Sequence, residues 1–245
     1  DTVSRLTYGE LQRETRRAAN MLRRLGVREE RVAMIMLDTI DFPIVFLGAI
    51  RAGIVPVPLN TLLTSDQYAY ILADCRARVL FVSEALYPVI KDVVGRMPDL
   101  EHVVVSGAKQ NGHKQLAEEI ADESDQFTTA ATHSDEPAFW LYSSGSTGMP
   151  KGVRHIHSNM QATADTYAKQ VLGIRENDVC LSAAKLFFAY GLGNALTFPM
   201  SVGATVVLNS ERPTPARMFD LMNRYNPSIF YGVPTLFAAM LNDET

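Results

Sequence analysis

Two cysteines, Cys75 and Cys180, are all the sulfhydryl chemistry that 245 residues carry. They lie far apart and match no Cys-x-x-Cys or zinc spacing, which excludes a disulfide-stapled scaffold. Reduced, buried thiols in a cytoplasmic protein are the expectation. A dense basic block is also missing, and the net charge of −4 argues against nucleic acid as the main partner. The nearest thing to such a block, Arg13, Arg16, Arg17, Arg23 and Arg24, shares one predicted helix with Leu11, Ala18, Leu22 and Leu25. That pattern reads as a solvated face opposite an apolar one. No signal-peptide pattern opens the chain. Residues 186–208 carry no formal charge, yet Gly191, Gly193, Asn194, Pro199 and Gly203 interrupt them. They read as buried core around a site rather than a membrane span. Internal repeats and coiled-coil heptads are absent as well.

What is present is an apolar fraction of 47%. That is enough for one large α/β domain or two small ones and too much for global disorder. Thr7-x-x-Glu10 is a capping box for a helix ending at Gly26. A continuous apolar strand follows over 32–37, then a helix over 42–52 and a turn at Pro56/Pro58. Thr64-x-x-Gln67 caps the next helix. Short strands are expected at 79–83 and 102–106. The polar stretch 107–136 is the expected seam between a first subdomain, 1–136, and a second, 137–245. Beyond it lie strands at 138–142, 153–157, 179–183, 204–208 and 228–231. Helices are expected from about 158 to 171, from Thr214-Pro215 onward, and over 234–241. Strands alternating with helices predict an α/β fold with a largely parallel sheet covered on both faces.

One stretch carries chemistry: Tyr142-Ser143-Ser144-Gly145-Ser146-Thr147-Gly148-Met149-Pro150-Lys151-Gly152. Its glycines let backbone N–H groups approach a ligand, a concavity of donors suited to phosphate. Ser143, Ser144, Ser146 and Thr147 add hydroxyl donors, and Lys151 adds a mobile positive charge. A plain Gly/Ser linker would have no need of the Pro-Lys-Gly stop or of a strand on each side. A Walker loop is excluded, because Lys151 follows Pro150 and the next residues alternate like a strand. The arrangement is strand, phosphate loop, strand.

Residues 143–152 resemble, at every position, the Ser/Thr-Ser-Gly-Ser/Thr-Thr-Gly-x-Pro-Lys-Gly signature of the adenylate-forming superfamily. That superfamily holds acyl- and aryl-CoA synthetases, luciferases and peptide-synthetase adenylation domains. Leu6–Leu11, Asn20–Val27 and Gly48–Asn60 look like the opening elements of acyl-CoA synthetases, so the resemblance spans essentially the whole chain. It implies that this chain is part of the large N-terminal domain of such an enzyme.

A second stretch, Lys185-Leu186-Phe187-Phe188-Ala189-Tyr190-Gly191-Leu192-Gly193-Asn194, reads on composition alone as aromatic core. Phe187, Phe188 and Tyr190 could equally form a flat apolar slot, with Gly191 and Gly193 admitting a ring close to backbone. This string and Lys151-Gly152-Val153-Arg154-His155-x-His157 resemble bacterial benzoate-CoA ligases. By that resemblance Phe188, Ala189, Tyr190 and Gly191 line the pocket for an aromatic acid, and the enzyme serves aromatic-compound degradation. Tyr231-Gly232-Val233-Pro234-Thr235 is a looser match to the family's next pocket-side turn. His155 and His157 sit two apart on a predicted strand, but no third ligand lies nearby in sequence, so no metal site is expected there and His157 reads as structural.

The resemblance implies a two-step reaction. A carboxylate attacks the α-phosphate of Mg-ATP to give an acyl-adenylate and pyrophosphate, and the thiol of coenzyme A then displaces AMP. Positioning and electrostatic stabilisation carry the first step. Residues Ser143, Ser144, Gly145, Ser146, Thr147, Gly148 and Lys151 would hold the phosphates, with Thr147 and Lys151 as the catalytic candidates. Mg²⁺ would neutralise the phosphates without an all-protein cage. The family's later Tyr-Gly-x-Thr-Glu motif, ribose-binding aspartate, hinge and C-terminal lysine domain are missing from this sequence. Asp1 and Thr245 read as trimmed ends, and an N-terminal portion that is inactive alone is the expectation. Two alternatives stand beside benzoate activation. One is a ligase for a substituted benzoate or another carboxylate; the other is a non-catalytic module that binds nucleotide or acid. These residues carry no argument about oligomeric state, and they point to neither nucleic acid nor membrane as a partner.

Overall fold

The computed structural model describes residues 3–110, 112–143 and 148–243, so Ser144, Gly145, Ser146 and Thr147 lie outside the described residues. Two compact units make up the chain. One comprises Asp1–Met36 with Ile40–His157, the other Leu37–Thr39 with Ser158–Thr245.

The first unit opens with α1 (Tyr8–Arg24), whose start follows from the sequence signal. Thr7 Oγ1 accepts from the Glu10 N–H at 3.2 Å, and the Glu10 carboxylate accepts from the Thr7 N–H at 2.8 Å. Thus two of the orphan donors at a helix start are satisfied. Elements β1 (Arg31–Ile35), α2 (Asp41–Arg51), β2 (Val55–Pro58), α3 (Ser65–Cys75), β3 (Val79–Ser83), α4 (Tyr87–Val94), β4 (His102–Ser106), β5 (Lys114–Gln115) and α5 (Leu116–Ala121) follow. The sheet has the order β2-β1-β3-β4-β5 and all its pairs are parallel. Every residue of β3 is buried, as strands covered on both faces require. The segment read as a Pro56/Pro58 turn is instead β2. It ends the five-strand order, where proline's missing donor is tolerated.

The antiparallel pair β6 (Pro137–Ser143) and β7 (Lys151–Ile156) completes this unit, with β6 packed against β2. The boundary between the units therefore falls at His157/Ser158, not at 136/137. The polar stretch that suggested a seam is docked onto α1. Arg24 pairs with Glu119 at 2.8 Å and Glu123 at 2.5 Å, and Asn20 Nδ2 donates to the Ser124 and Gln126 carbonyls. The basic face of α1 is thus partly committed, since Arg23 also donates to the Ala52 carbonyl at 2.6 Å.

In the second unit, α6 (His157–Thr163) runs on as a π-helical segment, Ala164–Leu172, and stops at Gly173 with φ +65°. After β8 (Val179–Ser182) come α7 (Ala189–Leu192), a π-helical turn at Gly193–Thr197, and α8 (Phe198–Met200). Then follow β9 (Thr205–Val207), α9 (Pro215–Tyr225), β10 (Ile229–Tyr231) and α10 (Pro234–Leu241). The three strands form a parallel sheet, β10-β8-β9. Neighbouring residues of β8 feed opposite cores: Cys180 packs with Ala164, Ala168 and Phe198, and Leu181 with Met218, Leu221 and Leu236. The uncharged run 186–208 is divided among short elements, and no helix among the described residues is long and apolar enough to cross a membrane. Burial pushes the thiol of Cys75 up to about 12 and that of Cys180 up to about 11, so neither is ionised near neutral pH.

Candidate active site

The glycine- and serine-rich loop hangs from the β6–β7 hairpin. Ser143 pairs with Lys151, Tyr142 with Gly152, Leu141 with Val153 and Trp140 with Arg154. The two strands expected to flank the loop are therefore present, and the described residues next to Ser144–Thr147 are Ser143 and Gly148–Pro150. Gly148 has φ +107°, a conformation that side chains rarely adopt, which accounts for glycine there. Ser143 and Lys151 face each other at the mouth of the loop and are both exposed. Beneath the mouth, Tyr70, Asp74, Trp140, Lys151, Gly152 and Arg154 line an open hollow of about 420 Å³.

One contact braces the hairpin from below. The Tyr142 hydroxyl donates to the Asp74 carboxylate at the end of α3. Burial, followed by that carboxylate, holds the phenol well above the ordinary tyrosine range, so it remains a donor throughout the working pH range. Its ring covers Gly152, where an added Cβ would lie 3.2 Å from Tyr142 Cζ and 3.3 Å from its hydroxyl oxygen. The ring can yield only by loosening the bond to Asp74. Gly152→Ala is therefore expected to cost about 1 kcal/mol, and most of that cost should vanish in a Tyr142→Phe background. Urea midpoints of the two single variants and the double variant test this; strict additivity would refute the brace.

His155 stacks on Phe139 with ring centroids 4.6 Å apart and 5° between planes. Burial lowers its pKa, leaving a neutral ring at pH 7. His157 does not share its strand, because it is the first residue of α6. The two imidazoles expected on one strand face are thus on different elements.

The second candidate segment lies in the other unit. Phe187 is buried; Phe188, with 47% of its surface exposed, precedes α7; Ala189 and Tyr190 open that helix. Tyr190, equally exposed, donates its hydroxyl to the Gly232 carbonyl at 3.2 Å. Gly191 is buried, and a Cβ there would lie 2.0 Å from the Lys185 carbonyl oxygen. Only glycine fits against that backbone. Phe188, Ala189 and Tyr190 thus present a short exposed face, with Gly191 as the close-packed pivot beneath it.

Asp38 and Lys185 influence each other electrostatically beside this segment, and sequence reasoning did not single them out. Asp38 is 5% exposed, and its two carboxylate oxygens accept from the Leu186 N–H at 3.2 and 3.3 Å. Burial pushes its carboxyl up to about 6, against the opposing pull of Lys185 and of the Leu186 amide. Lys185 is itself lowered, chiefly by burial. Its ammonium donates to the Asn209 and Glu211 carbonyls. The available sequence signal was an acidic residue just past the carboxyl end of a parallel strand, where open α/β sheets place their binding crevices.

The profile of the family described as AMP-binding enzyme matches residues 1–245. The chain belongs to the AMP-binding enzyme family. Within it, the chain is 54% identical to a benzoate–CoA ligase of Thauera aromatica over 98% of its own length and 46% of that protein. The crystal structure of a benzoate CoA ligase from Burkholderia xenovorans LB400 superposes with a TM-score of 0.91 at 47% identity, covering 98% of this chain and 47% of that one. An anthranilate CoA ligase, AuaEII, solved with anthranoyl-AMP, superposes at 0.94 with 37% identity over 96% of this chain and 46% of its own. The chain thus spans about half the length of the relatives it matches, and the α/β architecture described above is that of the N-terminal part of such ligases.

Proposed function

We propose that the protein to which these residues belong activates benzoate, using ATP to form benzoyl-adenylate and then transferring the acyl group to coenzyme A. The observation that carries this reading is the hairpin signature, Ser143 to Gly152, within a chain 54% identical to a benzoate–CoA ligase. In the first step a benzoate oxygen bonds to the α-phosphorus as the bond from that phosphorus to the pyrophosphate oxygen breaks. In the second, the coenzyme A thiolate attacks the acyl carbon and AMP leaves.

Residues of this chain divide the work of the first step. Ser143, Gly148 and Lys151, with Ser144, Gly145, Ser146 and Thr147 between them, would cradle the leaving phosphates. Charge that develops on those oxygens would meet preorganised donors and one mobile cation. Mg²⁺ would travel with the phosphates, completed by water. The exposed face of Phe188, Ala189 and Tyr190, with Gly191 beneath, would receive the aromatic acid. Anthranoyl-AMP in a relative supports an aryl-adenylate as the product of the first step. A cytoplasmic setting and a role in aromatic-compound degradation belong to the same reading.

Benzoate-dependent ATP–pyrophosphate exchange tests it. We expect exchange from the chain extended to its relatives' length and none from the 245 residues alone. Exchange with a substituted benzoate but not with benzoate would reassign the acid. Saturable binding without exchange in the folded, extended protein would replace the enzyme with a binding module.

A further inference from the structure

Behind the exposed aromatic face, one peptide plane is held from both ends. The Lys185 carbonyl accepts from the Phe188 N–H at 3.0 Å and lies where any side chain on residue 191 would intrude. The amide on the other side of that peptide, Leu186 N–H, points to the Asp38 carboxylate. The Lys185 side chain is meanwhile tied to the Asn209 and Glu211 carbonyls. This plane sets the direction in which the chain enters α7, and the placement of Phe188, Ala189 and Tyr190 follows from it together with the bond from Tyr190 to the Gly232 carbonyl. Leu186 is fully buried, so its N–H has no water to turn to if Asp38 is removed.

We infer that Asp38 is a positioning residue for the acid-binding segment, fixing the Lys185–Leu186 peptide and through it the face formed by residues 188–190. The substrate part of this inference rests on the benzoate reading above; the backbone part does not. Filling this space does not by itself call for an aspartate, because an uncharged side chain of the same size would do so equally well. What distinguishes Asp38 is an acceptor aimed at one buried amide. That acceptor is charge-assisted while the carboxyl is ionised and weaker once it is protonated. The carboxyl lies close enough to neutrality, at about 6, for both forms to be sampled. The charged groups facing it are Lys185 and, around that ammonium, Glu211 and Arg217.

Amide hydrogen exchange on the chain extended to its relatives' length tests the backbone part. Asp38→Ala, which removes the acceptor without adding bulk, should raise exchange at residues 186–191 at least tenfold while leaving 79–83 in the other unit unchanged. Asp38→Asn, which keeps an acceptor, should stay within about fivefold of the parent. The same three proteins, titrated with benzoate, should show a Kd raised tenfold or more in Asp38→Ala and rescued in Asp38→Asn. Unchanged exchange at 186–191 in Asp38→Ala, or a loss in Asp38→Asn equal to that in the alanine variant, would overturn the inference. The expected exchange pattern in a protein that binds no benzoate would instead overturn the benzoate reading and leave the positioning role standing.

Discussion

Gly191→Ala is expected to destabilise the second unit by about 3 kcal/mol or more and to abolish binding of an aromatic acid. The alanine Cβ would stand 2.0 Å from the Lys185 carbonyl oxygen, 2.5 Å from its carbon and 2.6 Å from the Ala184 carbonyl oxygen. All three are backbone atoms, so no side chain can rotate away. Relief to an ordinary carbon–oxygen contact requires a shift of about 1.4 Å. The segment that must shift is held by Phe188 N–H, by Asp38 through Leu186, and by the anchored Lys185 ammonium. Overpacking commonly costs about 1–3 kcal/mol where neighbours can adjust, and this site sits at or beyond the upper end. Chemical denaturation followed by circular dichroism, with benzoate titration alongside, provides the check. A variant within about 1 kcal/mol of the parent that binds benzoate normally would show that the segment is far softer than its contacts imply.

Lys151→Ala should lower benzoate-dependent ATP–pyrophosphate exchange by about a hundred- to a thousandfold, the size of effect seen when one preorganised donor to a developing negative charge is removed. Lys151 heads β7 opposite Ser143 and is exposed, so its removal disturbs no core. Stability should therefore stay within about 0.5 kcal/mol. That separation matters, because it tells a lost interaction with phosphate from a damaged fold. Lys151→Arg keeps the charge but replaces a compact ammonium with a planar fork, and an intermediate rate is expected. Thr147→Ala should fall in the same direction by a smaller factor. Exchange within threefold of the parent in Lys151→Ala would remove this lysine from the chemistry.

Local signals carried most of the fold. The cap at Thr7, the cap and proline at Thr214-Pro215, and the apolar runs at 79–83 and 102–106 each act within a few residues, and the elements they announce are present with little shift. Pro56 and Pro58 misled because a proline reports a missing donor and not whether the strand is at an edge. The seam at 107–136 misled for a related reason. Polar composition describes a segment's own solubility, whereas its attachment to α1 is made by Arg24 and Asn20, about a hundred residues away. The π-helical stretches at 164–172 and 193–197 are invisible to a 3.6-residue period. The loop proposed for phosphate stood out in the sequence because its glycines, hydroxyls and lysine are contiguous. The need for glycine at 191 and the bond from Leu186 to Asp38 did not, since their partners, a backbone carbonyl and a backbone amide, leave no trace in residue identity.

The bond between Asp38 and Leu186 joins positions 148 residues apart. On a ribosome adding about 5–20 residues per second, the carboxylate is made roughly 7–30 s before the amide it serves. The residues flanking it, up to Met36 and from Ile40, belong to the first unit, while Leu37–Thr39 belong to the second. A nascent first unit can assemble early, but its crossing at 37–39 stays unfinished until β8 and the following turn have been synthesised. Synthesis of residues 158–186 therefore separates completion of the first unit's chain from closure of that crossing.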